Sequence, residues 1–410
     1  MANDWRPSTW GDEVTLEYGK AIRGYSQTHG KYRVFGSNGP IGWTSDALTQ
    51  GPGVVLGRKG AYRGVEFCRE PFWVIDTAYY VVPKTDLDMR WLYYAVKHYK
   101  LGEVDDGSPI PSTTRAAVYM LELDVPPKHE QQAISRILGT LDDKIELNGK
   151  ENETLEAMAR ALFKAWFVDF EPVRAKMEGR WRRGQSLPGL PANLYDLFPD
   201  RLVESEFGEI PEGWEMRSLD SIANYLNGLA LQKFPPESET EFLPVIKIAQ
   251  LRAGNTNGAD KASQQIKPEY VVVDGDVLFS WSGSLEVEVW NGGRGALNQH
   301  LFKVTSNDVP KWFYFFATRQ HLSDFRAIAA GKATTMGHIQ RKHLTDARIA
   351  VAPPESMKKF DAVIASLFDQ LVSNAQQSRS LAQLRDTLLP KLISGELRVG
   401  DADKYLRGIA

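Results

Sequence analysis

The chain has 410 residues, of which 42% are hydrophobic and 25% charged, and its formal net charge is −3 at pH 7. This is the composition of a folded globular protein, and it excludes a disordered, collagen-like or histone-like chain. The single cysteine, Cys68, excludes a disulfide framework and any zinc cluster built from several thiolates.

The length and the distribution of apolar residues predict a multidomain protein outside the membrane. At roughly 150 residues per domain, two to four domains are expected. The beginning of the chain is polar, and nowhere do the apolar residues form a run long enough to span a bilayer. We therefore expect a cytoplasmic protein that is neither exported nor embedded in a membrane.

Basic residues are concentrated in two windows, although the net charge is close to zero. Residues 20–63 contain seven Lys and Arg against one acidic residue, and residues 290–343 contain eight against two. A basic patch of this size is what contacts to DNA phosphates require. A solvated surface of the same composition is the alternative interpretation.

The sequence repeats itself, which indicates a tandem duplication. Gly53, Trp91, Gly107 and Pro126 recur as Gly275, Trp312, Gly331 and Pro353, at offsets of 222, 221, 224 and 227. In each copy, short apolar runs and turns rich in Gly, Asn and Ser come before a Pro-Pro pair, and these features predict strands with a helix near each Trp. Each Pro-Pro pair precedes a long helical pattern.

Both long patterns have the 3.5-residue apolar period of a coiled coil. The first set of apolar positions spans residues 134–166, and the second, shifted by 226, spans residues 360–392. Both sets are polar at the same two central positions, and the residues there are Asn148, Asn152, Asn374 and Ser378.

These polar positions predict how the two helices pair. A buried amide without a partner costs on the order of 1 to 3 kcal/mol, so the polar residues should face one another. In an antiparallel pair this requires facing residue numbers to sum to 526. That register places Asn148 opposite Ser378 and Asn152 opposite Asn374, and it brings Trp166 to Phe360.

Residues 170–213 separate the first long helix from the second copy. They include Arg174, Lys176, Arg180, Arg182 and Arg183, followed by a proline-containing stretch. We expect an extended connection here rather than a domain. Its basic residues either form a solvated charge run or touch DNA.

Several segments resemble those of one known family. They lie at residues 32–39, 57–61, 107–112, 125–132, 154–170 and 388–397. In order and spacing they resemble the specificity subunit of type I restriction-modification systems, and the resemblance covers nearly the whole chain. The second copy departs from the first, because Ser282-Gly283-Ser284 stands where the first copy has Lys59-Gly60-Ala61.

The resemblance implies an α/β (α+β) fold with two tandem target recognition domains of mixed sheet and helix. Two long helices would separate them and form an antiparallel coiled coil with pseudo-twofold symmetry. The expected parts are a first target recognition domain (1–125), a first long spacer helix (126–169), a basic, proline-containing linker (170–213), a second target recognition domain (214–352), a second long spacer helix (353–398) and a tail (399–410).

The resemblance also implies a function without chemistry. Each domain would read one half of a bipartite site in double-stranded DNA, and the helices would set the gap and dock two methyltransferase subunits. Motor-nuclease subunits would join in the full complex. S-adenosylmethionine, ATP and magnesium would belong to these partners, so we expect this chain to bind no cofactor and no metal.

The sequence lacks the motifs that catalysis of this kind needs. No Pro-Pro pair follows Asn, Asp or Ser and precedes an aromatic residue, as in a DNA methyltransferase, and no phosphate-binding Gly-x4-Gly-Lys-Ser/Thr loop occurs. Two alternatives stay open. One is an enzyme with an unrecognised acid-base pair, such as His300 with Asp276, and the other is a DNA-binding or coiled-coil scaffold protein outside restriction-modification.

Candidate DNA contacts are polar residues in predicted loops, because Arg and Lys suit guanine, and Asn and Gln suit adenine. In the first copy they are Lys31, Arg33, Ser37, Asn38, Arg58, Lys59, Arg63, Ser112 and Thr113. In the second copy they are Lys247, Gln250, Arg252, Ser282, Ser284, Asn298, Gln299, Lys332, Thr334 and Thr335. For each residue the alternative is a turn former or a surface charge. Trp43, Tyr62 and Trp281 either stack on DNA or belong to the core.

Overall fold

A computed structural model of the chain describes residues 5–105, 107, 111–331 and 337–400. The chain divides into two units, of which unit 1 is Met1–Ile145 with Leu381–Ala410, and unit 2 is Glu146–Ser380. Across the described ranges, no helix combines the length and the apolar character needed to cross a bilayer.

The first repeat (residues 5–125) belongs to unit 1. Its strands are β1 (Arg6–Thr9), β2 (Val14–Tyr18), β3 (Tyr32–Gly36), β4 (Gly39–Thr44), β5 (Gly53–Gly57), β6 (Val65–Cys68), β7 (Phe72–Val74), β8 (Ala78–Pro83) and β9 (Glu122–Val125). Its helices are α1 (Trp10–Glu13), α2 (Met89–His98) and α3 (Arg115–Tyr119), with a 3-10 turn at Leu101–Glu103.

Three sheets organise this repeat. An antiparallel sheet has the strand order β2-β8-β5-β6, a second sheet has the order β4-β3-β7 with β3 and β7 parallel, and β1 pairs with β9. Helix α2 begins where the Asp88 carboxylate accepts the N–H groups of Arg90 and Trp91. Its buried face, which includes Trp91 and Leu92, packs against β5 and β6.

A long helix and a folded segment follow the first repeat. The helix is α4 (Lys128–Phe167), and the segment contains α5 (Glu171–Met177), a 3-10 helix (Ala192–Leu197) and a hairpin of β10 (Leu202–Ser205) and β11 (Gly208–Pro211). The expectation of an extended connection at 170–213 is therefore wrong. Trp181 and Phe198 are buried in the core of unit 2. Burial of these aromatic side chains stabilises a folded segment, whereas an extended chain would leave them exposed to water.

Four of the five basic residues between positions 174 and 183 are paired with carboxylates, and the fifth, Arg182, donates to the Gly179 carbonyl at 3.4 Å. Lys176 pairs with Asp200, Arg180 with Glu171 and Glu178, and Arg183 with Asp196. These pairs account for the basic run by interactions within the segment itself.

The second repeat (residues 214–352) belongs to unit 2. Its strands are β12 (Glu215–Ser218), β13 (Asn224–Asn227), β14 (Leu243–Ile246), β15 (Lys261–Ala262), β16 (Val271–Val272), β17 (Val277–Ser280), β18 (Val287–Val289), β19 (Gly295–Leu297), β20 (Leu301–Thr305) and β21 (Arg348–Val351). Its helices are α6 (Leu219–Ile222), α7 (Ile248–Ala253), α8 (Lys311–Gln320), α9 (Leu322–Ala330) and α10 (Arg341–Asp346), with 3-10 turns at Leu231–Lys233 and Pro268–Tyr270. A second long helix, α11 (Pro354–Ile393), follows it.

The two repeats share most of their topology, as the repeated sequence predicts, and the second repeat has an additional strand, β16, which pairs with β19. The order β13-β20-β17-β18 corresponds to β2-β8-β5-β6, the parallel pair β14 and β19 corresponds to β3 and β7, and β12 with β21 corresponds to β1 with β9. Helix α8 packs on β18 and β20 with Trp312 buried, as Trp91 is in the first repeat.

The long helices α4 and α11 each have 40 residues, or about 60 Å at 1.5 Å per residue. No position of either predicted coiled-coil set is exposed. In unit 2 the rings of Trp166 and Phe360 lie 5.4 Å apart, and in unit 1 Arg385 Nη1 donates to Asp142 Oδ1 at 2.7 Å. A second contact in each unit, Asn148 with Ser378 and Glu130 with Arg398 just after α11, shows that residue numbers rise along one helix as they fall along the other. Within each unit the two helices therefore run antiparallel.

The polar positions of the helices meet in unit 2. The Asn148 amide donates to Ser378 Oγ at 3.2 Å, to Gln377 Oε1 at 2.9 Å and to the Asn374 carbonyl at 3.3 Å. Asn152 donates instead to the carbonyl of Leu371 at 3.0 Å. The structure thus brings Asn148 to Ser378, whereas the Asn152 amide is bonded to backbone rather than to the Asn374 side chain.

Candidate nucleic-acid interface

Three loops of the first repeat meet at one place, which we call the first loop junction (residues 58–60, 76–77 and 111–113). The N–H of Arg58 donates to the Thr77 carbonyl at 3.0 Å, and the N–H of Gly60 to the Pro111 carbonyl at 3.0 Å. The N–H of Thr113 donates to the Arg58 carbonyl at 2.9 Å. The loop after β5 is therefore held from both sides by backbone hydrogen bonds.

Among the predicted residues, Ser37, Lys59 and Ser112 come together at this junction. Lys59 forms an isolated antiparallel bridge with Ser112. Its N–H donates to Ser37 Oγ at 3.1 Å, and that hydroxyl in turn donates to the Lys59 carbonyl. The neighbouring Asn38 is exposed in the turn between β3 and β4.

Two guanidinium groups lie against one exposed tyrosine beside the junction. Arg115 lies 4.2 Å and Arg58 5.0 Å from the centre of the Tyr18 ring, and Tyr18 is 46% exposed. Arg58 Nη2 also donates to the Asp76 carbonyl at 2.9 Å. Burial, and then the adjacent Tyr18 hydroxyl, raises the pKa of Tyr79 beneath them to about 12, so this phenol stays neutral at physiological pH. Arg115 also pairs with Glu17 at 3.6 Å, which offsets part of the positive charge that the two guanidinium groups place here.

Two other predicted residues of the first repeat face inward. Arg63 donates to the carbonyls of Gly60, Gly102 and Val104, and Thr113 is fully buried with its hydroxyl 3.1 Å from the Val104 carbonyl. These internal acceptors satisfy the hydrogen-bond donors of Arg63 and Thr113. In this structure the two side chains therefore stabilise the loop conformation and are not presented as base contacts.

Lys31 and Arg33 lie apart from the junction, at β3. The Arg33 guanidinium is 4.6 Å from the centre of the Trp43 ring, and the Lys31 ammonium is 5.0 Å from that of Tyr32. Trp43 is thus covered by a cation of its own sheet, whereas Tyr62 is 77% exposed.

The second repeat has a corresponding second loop junction (residues 281–283, 299–300 and 337–339). The N–H of Trp281 donates to the His300 carbonyl at 3.3 Å, and the N–H of Gly283 to the Gly337 carbonyl at 2.8 Å. The N–H of Ile339 donates to the Trp281 carbonyl at 3.0 Å, and Ser282 bridges His338 as Lys59 bridges Ser112. These bonds reproduce those of the first junction at offsets of 223 and 226.

Neutral polar groups surround His300 at this junction. Its Nδ1 is 2.9 Å from Ser282 Oγ, its backbone N–H donates to Asn298 Oδ1 at 3.2 Å, and its Nε2 is 3.4 Å from the Gln299 amide. Ser282 and Asn298 are buried, so their side chains orient their neighbours from inside, in contrast to the contact role predicted for them. Gln299 and His300 are half-buried, and Trp281 donates to Asn227 Oδ1 at 2.9 Å.

The remaining predicted residues of the second repeat lie elsewhere. Lys247 occupies the N-cap position of α7, where its backbone N–H donates to Gln250 Oε1, and its ammonium pairs with Asp260. Gln250 is buried against the same helix end, and Arg252 is exposed on α7. Ser284 is exposed next to the second junction. Lys332, Thr334 and Thr335 lie outside the described residues.

Equivalent arginines support both junctions, and the sequence analysis missed them. Arg115 lies over Tyr79 and donates to the Leu16 carbonyl, while Arg341 lies over Phe302 and donates to the Tyr225 carbonyl. The offset between the two arginines is 226, the same as between the long helices. This offset could have identified the two arginines from the sequence, because it aligns them once the two copies are matched.

The acid-base pair considered from the sequence is not formed. Asp276 pairs with Lys303 at 2.8 Å and accepts the N–H of Val273, while His300 is bonded to Ser282. Over the ranges that the structure describes, no three His, Cys, Asp or Glu side chains are grouped as metal ligands would be.

Comparisons with known proteins agree on one family. The family model described as type I restriction modification DNA specificity domain matches residues 4–157 and 211–384. The chain is 27% identical over 331 residues to the type I restriction enzyme MjaIX specificity subunit of Methanocaldococcus jannaschii, covering 78% of this chain and 71% of that protein. It is 26% identical over 345 residues to the HindI specificity subunit of Haemophilus influenzae, covering 73% and 74%.

A solved structure has a similar fold. The S subunit of a type I restriction-modification system from M. genitalium aligns with a TM-score of 0.58 at 16% identity. The alignment covers 95% of this chain and 96% of that one, so the similarity extends over both repeats and both long helices.

Proposed function

The chain belongs to the type I restriction modification DNA specificity family, and on that basis we propose that it selects the DNA target of a restriction-modification complex. Each repeat reads one half of a bipartite site in double-stranded DNA. The paired helices α4 and α11 set the gap between the halves and dock two methyltransferase subunits.

The observation that carries this proposal is the repeated loop junction. Two copies of one backbone arrangement, each with polar side chains that are at least partly exposed, suit a protein that reads two separate sequences in the same way. Because the side chains differ between the junctions, the two half-sites differ in sequence. The cations Arg58 and Lys59 of the first loop junction support DNA as the ligand.

In this proposal the chain performs no chemistry itself. Methyl transfer, ATP hydrolysis and cleavage belong to the methyltransferase and motor-nuclease subunits, which bring S-adenosylmethionine, ATP and magnesium. His300 and Asp276 each have another partner, which disfavours the alternative of an acid-base enzyme. The protein acts where the DNA is, in the cytoplasm.

Selection from a pool of random DNA duplexes tests the proposal. The purified chain is incubated with the pool alone and together with the methyltransferase subunit of its host, and bound duplexes are sequenced. We expect a motif of two short half-sites separated by a fixed gap, with stronger enrichment when the partner is present. Enrichment of no motif, or of one uninterrupted motif, would contradict the proposal.

A further inference from the structure

The two loop junctions share one backbone arrangement but present different chemistry at equivalent positions. Arg58 and Lys59 in the first repeat correspond to Trp281 and Ser282 in the second, because their backbone hydrogen bonds match. Two positive charges in one junction are therefore replaced by two neutral side chains in the other.

The two cations of the first junction are positioned to bind an anion. Lys59 is exposed, and among the described residues its ammonium has no hydrogen bond and no ion pair. Arg58 is held beside it by the Asp76 carbonyl and the Tyr18 ring. A lysine ammonium is a compact point charge and lacks a planar set of donors that matches a base edge. A DNA phosphate is therefore its natural acceptor.

The second junction offers neutral donors and acceptors in a fixed orientation. Ser282 and Asn298 hold His300 from the buried side, and the His300 ring lies 6.0 Å from that of Trp281, measured between centroids. The Gln299 amide lies next to the imidazole. An amide with both a donor and an acceptor can pair with the edge of adenine, whereas it has no charge with which to displace counterions from a phosphate.

We propose that Arg58 and Lys59 contact backbone phosphates of one half-site, whereas Gln299 and His300 contact base edges of the other. This inference rests on the proposed function and adds to it the contact class of each half-site. Ser282 and Asn298 are positioning residues for His300. The consequence is that the two junctions contribute unequally to the salt dependence of DNA binding.

The test measures the affinity of the full chain, with its methyltransferase partner, for the selected duplex over a series of salt concentrations. Lys59→Ala should make the slope of log K against log salt less steep by about 0.9, the value for one lost phosphate contact. It should weaken binding to matched and mismatched duplexes alike. His300→Ala should leave the slope unchanged and lower the preference for the matched second half-site by about 5- to 150-fold.

Two control substitutions remove comparable groups away from the junctions. Lys358→Ala removes an exposed lysine of α11 that pairs with Glu355, and Asn307→Ala removes an exposed polar side chain of the second repeat. Both should leave the slope and the preference unchanged. If His300→Ala unfolds the protein, Gln299→Ala is measured in its place, with the same expected loss of preference.

The outcomes separate this inference from the proposed function. Either of two results would overturn the inference while leaving a sequence-specific binding protein. One is an unchanged slope for Lys59→Ala. The other is a flatter slope without loss of preference for His300→Ala, or for its replacement Gln299→Ala. Failure of the unaltered complex to prefer the selected duplex would overturn the proposed function itself.

Discussion

The side-chain amide of Asn148 on α4 donates a 3.2 Å hydrogen bond to the hydroxyl of Ser378 on α11. Both residues interrupt otherwise apolar helix surfaces, and Asn148 has no exposed area. A shift of one helix by one turn, in either direction, would leave Asn148 or Asn152 facing a leucine of α11. The pair therefore fixes the alignment of the two helices more strictly than apolar contacts do.

Substitution of Asn148 by Ala should destabilise unit 2. The change removes the two N–H donors of the amide, which lie within reach of three acceptors on α11, and leaves Ser378 and Gln377 without this donor, which costs about 1 to 3 kcal/mol. Urea unfolding followed by circular dichroism measures the loss. Glu153→Ala, an exposed position of the same helix, is the control. Equal midpoints for both variants would show that the amide contributes nothing.

The stability of unit 1 should depend on pH through Asp143. Hydrogen bonds from Arg90, and then from Arg69, hold the pKa of Asp143 below its ordinary value. A lowered pKa in the folded state means that the carboxylate stabilises the fold above its unfolded pKa of about 3.9, and that this contribution is lost as the pH falls through the folded pKa.

Melting temperatures of Asp143→Asn and of the unaltered chain test this pH dependence. We expect the variant to melt lower at pH 7 and the difference to shrink as the pH falls below about 4. Asp369→Asn, exposed on α11, should show no such trend. A difference that stays constant down to acid pH would assign the effect to packing and not to the charge.

Replacement of Trp181 by Ala tests the folded state of residues 170–213. The side chain is 1% exposed and its Nε1–H donates to the Gln185 carbonyl at 2.8 Å. Loss of a buried tryptophan costs about 3 to 5 kcal/mol, so the urea midpoint should fall clearly. The neighbouring Arg182→Ala should leave it unchanged, because Arg182 is exposed. An unchanged midpoint for Trp181→Ala would instead support an extended connection at residues 170–213.

Lengthening both long helices should change the gap in the DNA target. Seven residues inserted after Lys150 and seven after Gln376 keep the coiled-coil period and add about 10.5 Å of helix, equivalent to about three base pairs. Motif selection should return the same half-sites with a longer gap. Seven residues inserted after Gly258, an exposed loop position, should leave the gap unchanged. Altered half-sites with an unchanged gap would contradict the role of the helices.

The features that repeat along the chain were predictable from the sequence. Matching glycines, tryptophans and Pro-Pro pairs revealed the duplication, and the heptad pattern revealed helices whose apolar positions are indeed covered. The position of Asn148 was predictable because burial of an amide restricts its partners. The partner of Asn152 was not, since a backbone carbonyl of the facing helix is available at any position and leaves no trace in the sequence.

Local composition was a poor guide to which polar residues face solvent. Thr113, Ser282 and Asn298 look like loop residues, but the structure buries them. Their hydrogen-bond partners are the Val104 carbonyl, the His300 imidazole and the His300 backbone N–H, respectively. In residues 170–213 the charges and prolines suggested an open chain, whereas the structure buries Trp181 and Phe198 in the core of unit 2. Whether a buried polar side chain finds a hydrogen-bond partner depends on residues distant in the sequence, which local composition does not reveal.

Methylome sequencing tests the central claim most directly. A host free of DNA methylation receives the methyltransferase subunit alone, together with this chain, or together with its Arg58→Ala, Lys59→Ala variant. We predict no methylated motif without the chain and one bipartite motif with it. The double variant should weaken methylation at that motif, and any change in sequence should be confined to one half. Methylation of the same motif without the chain, or an unchanged level and motif with the double variant, would contradict the account of this protein as the reader of the DNA.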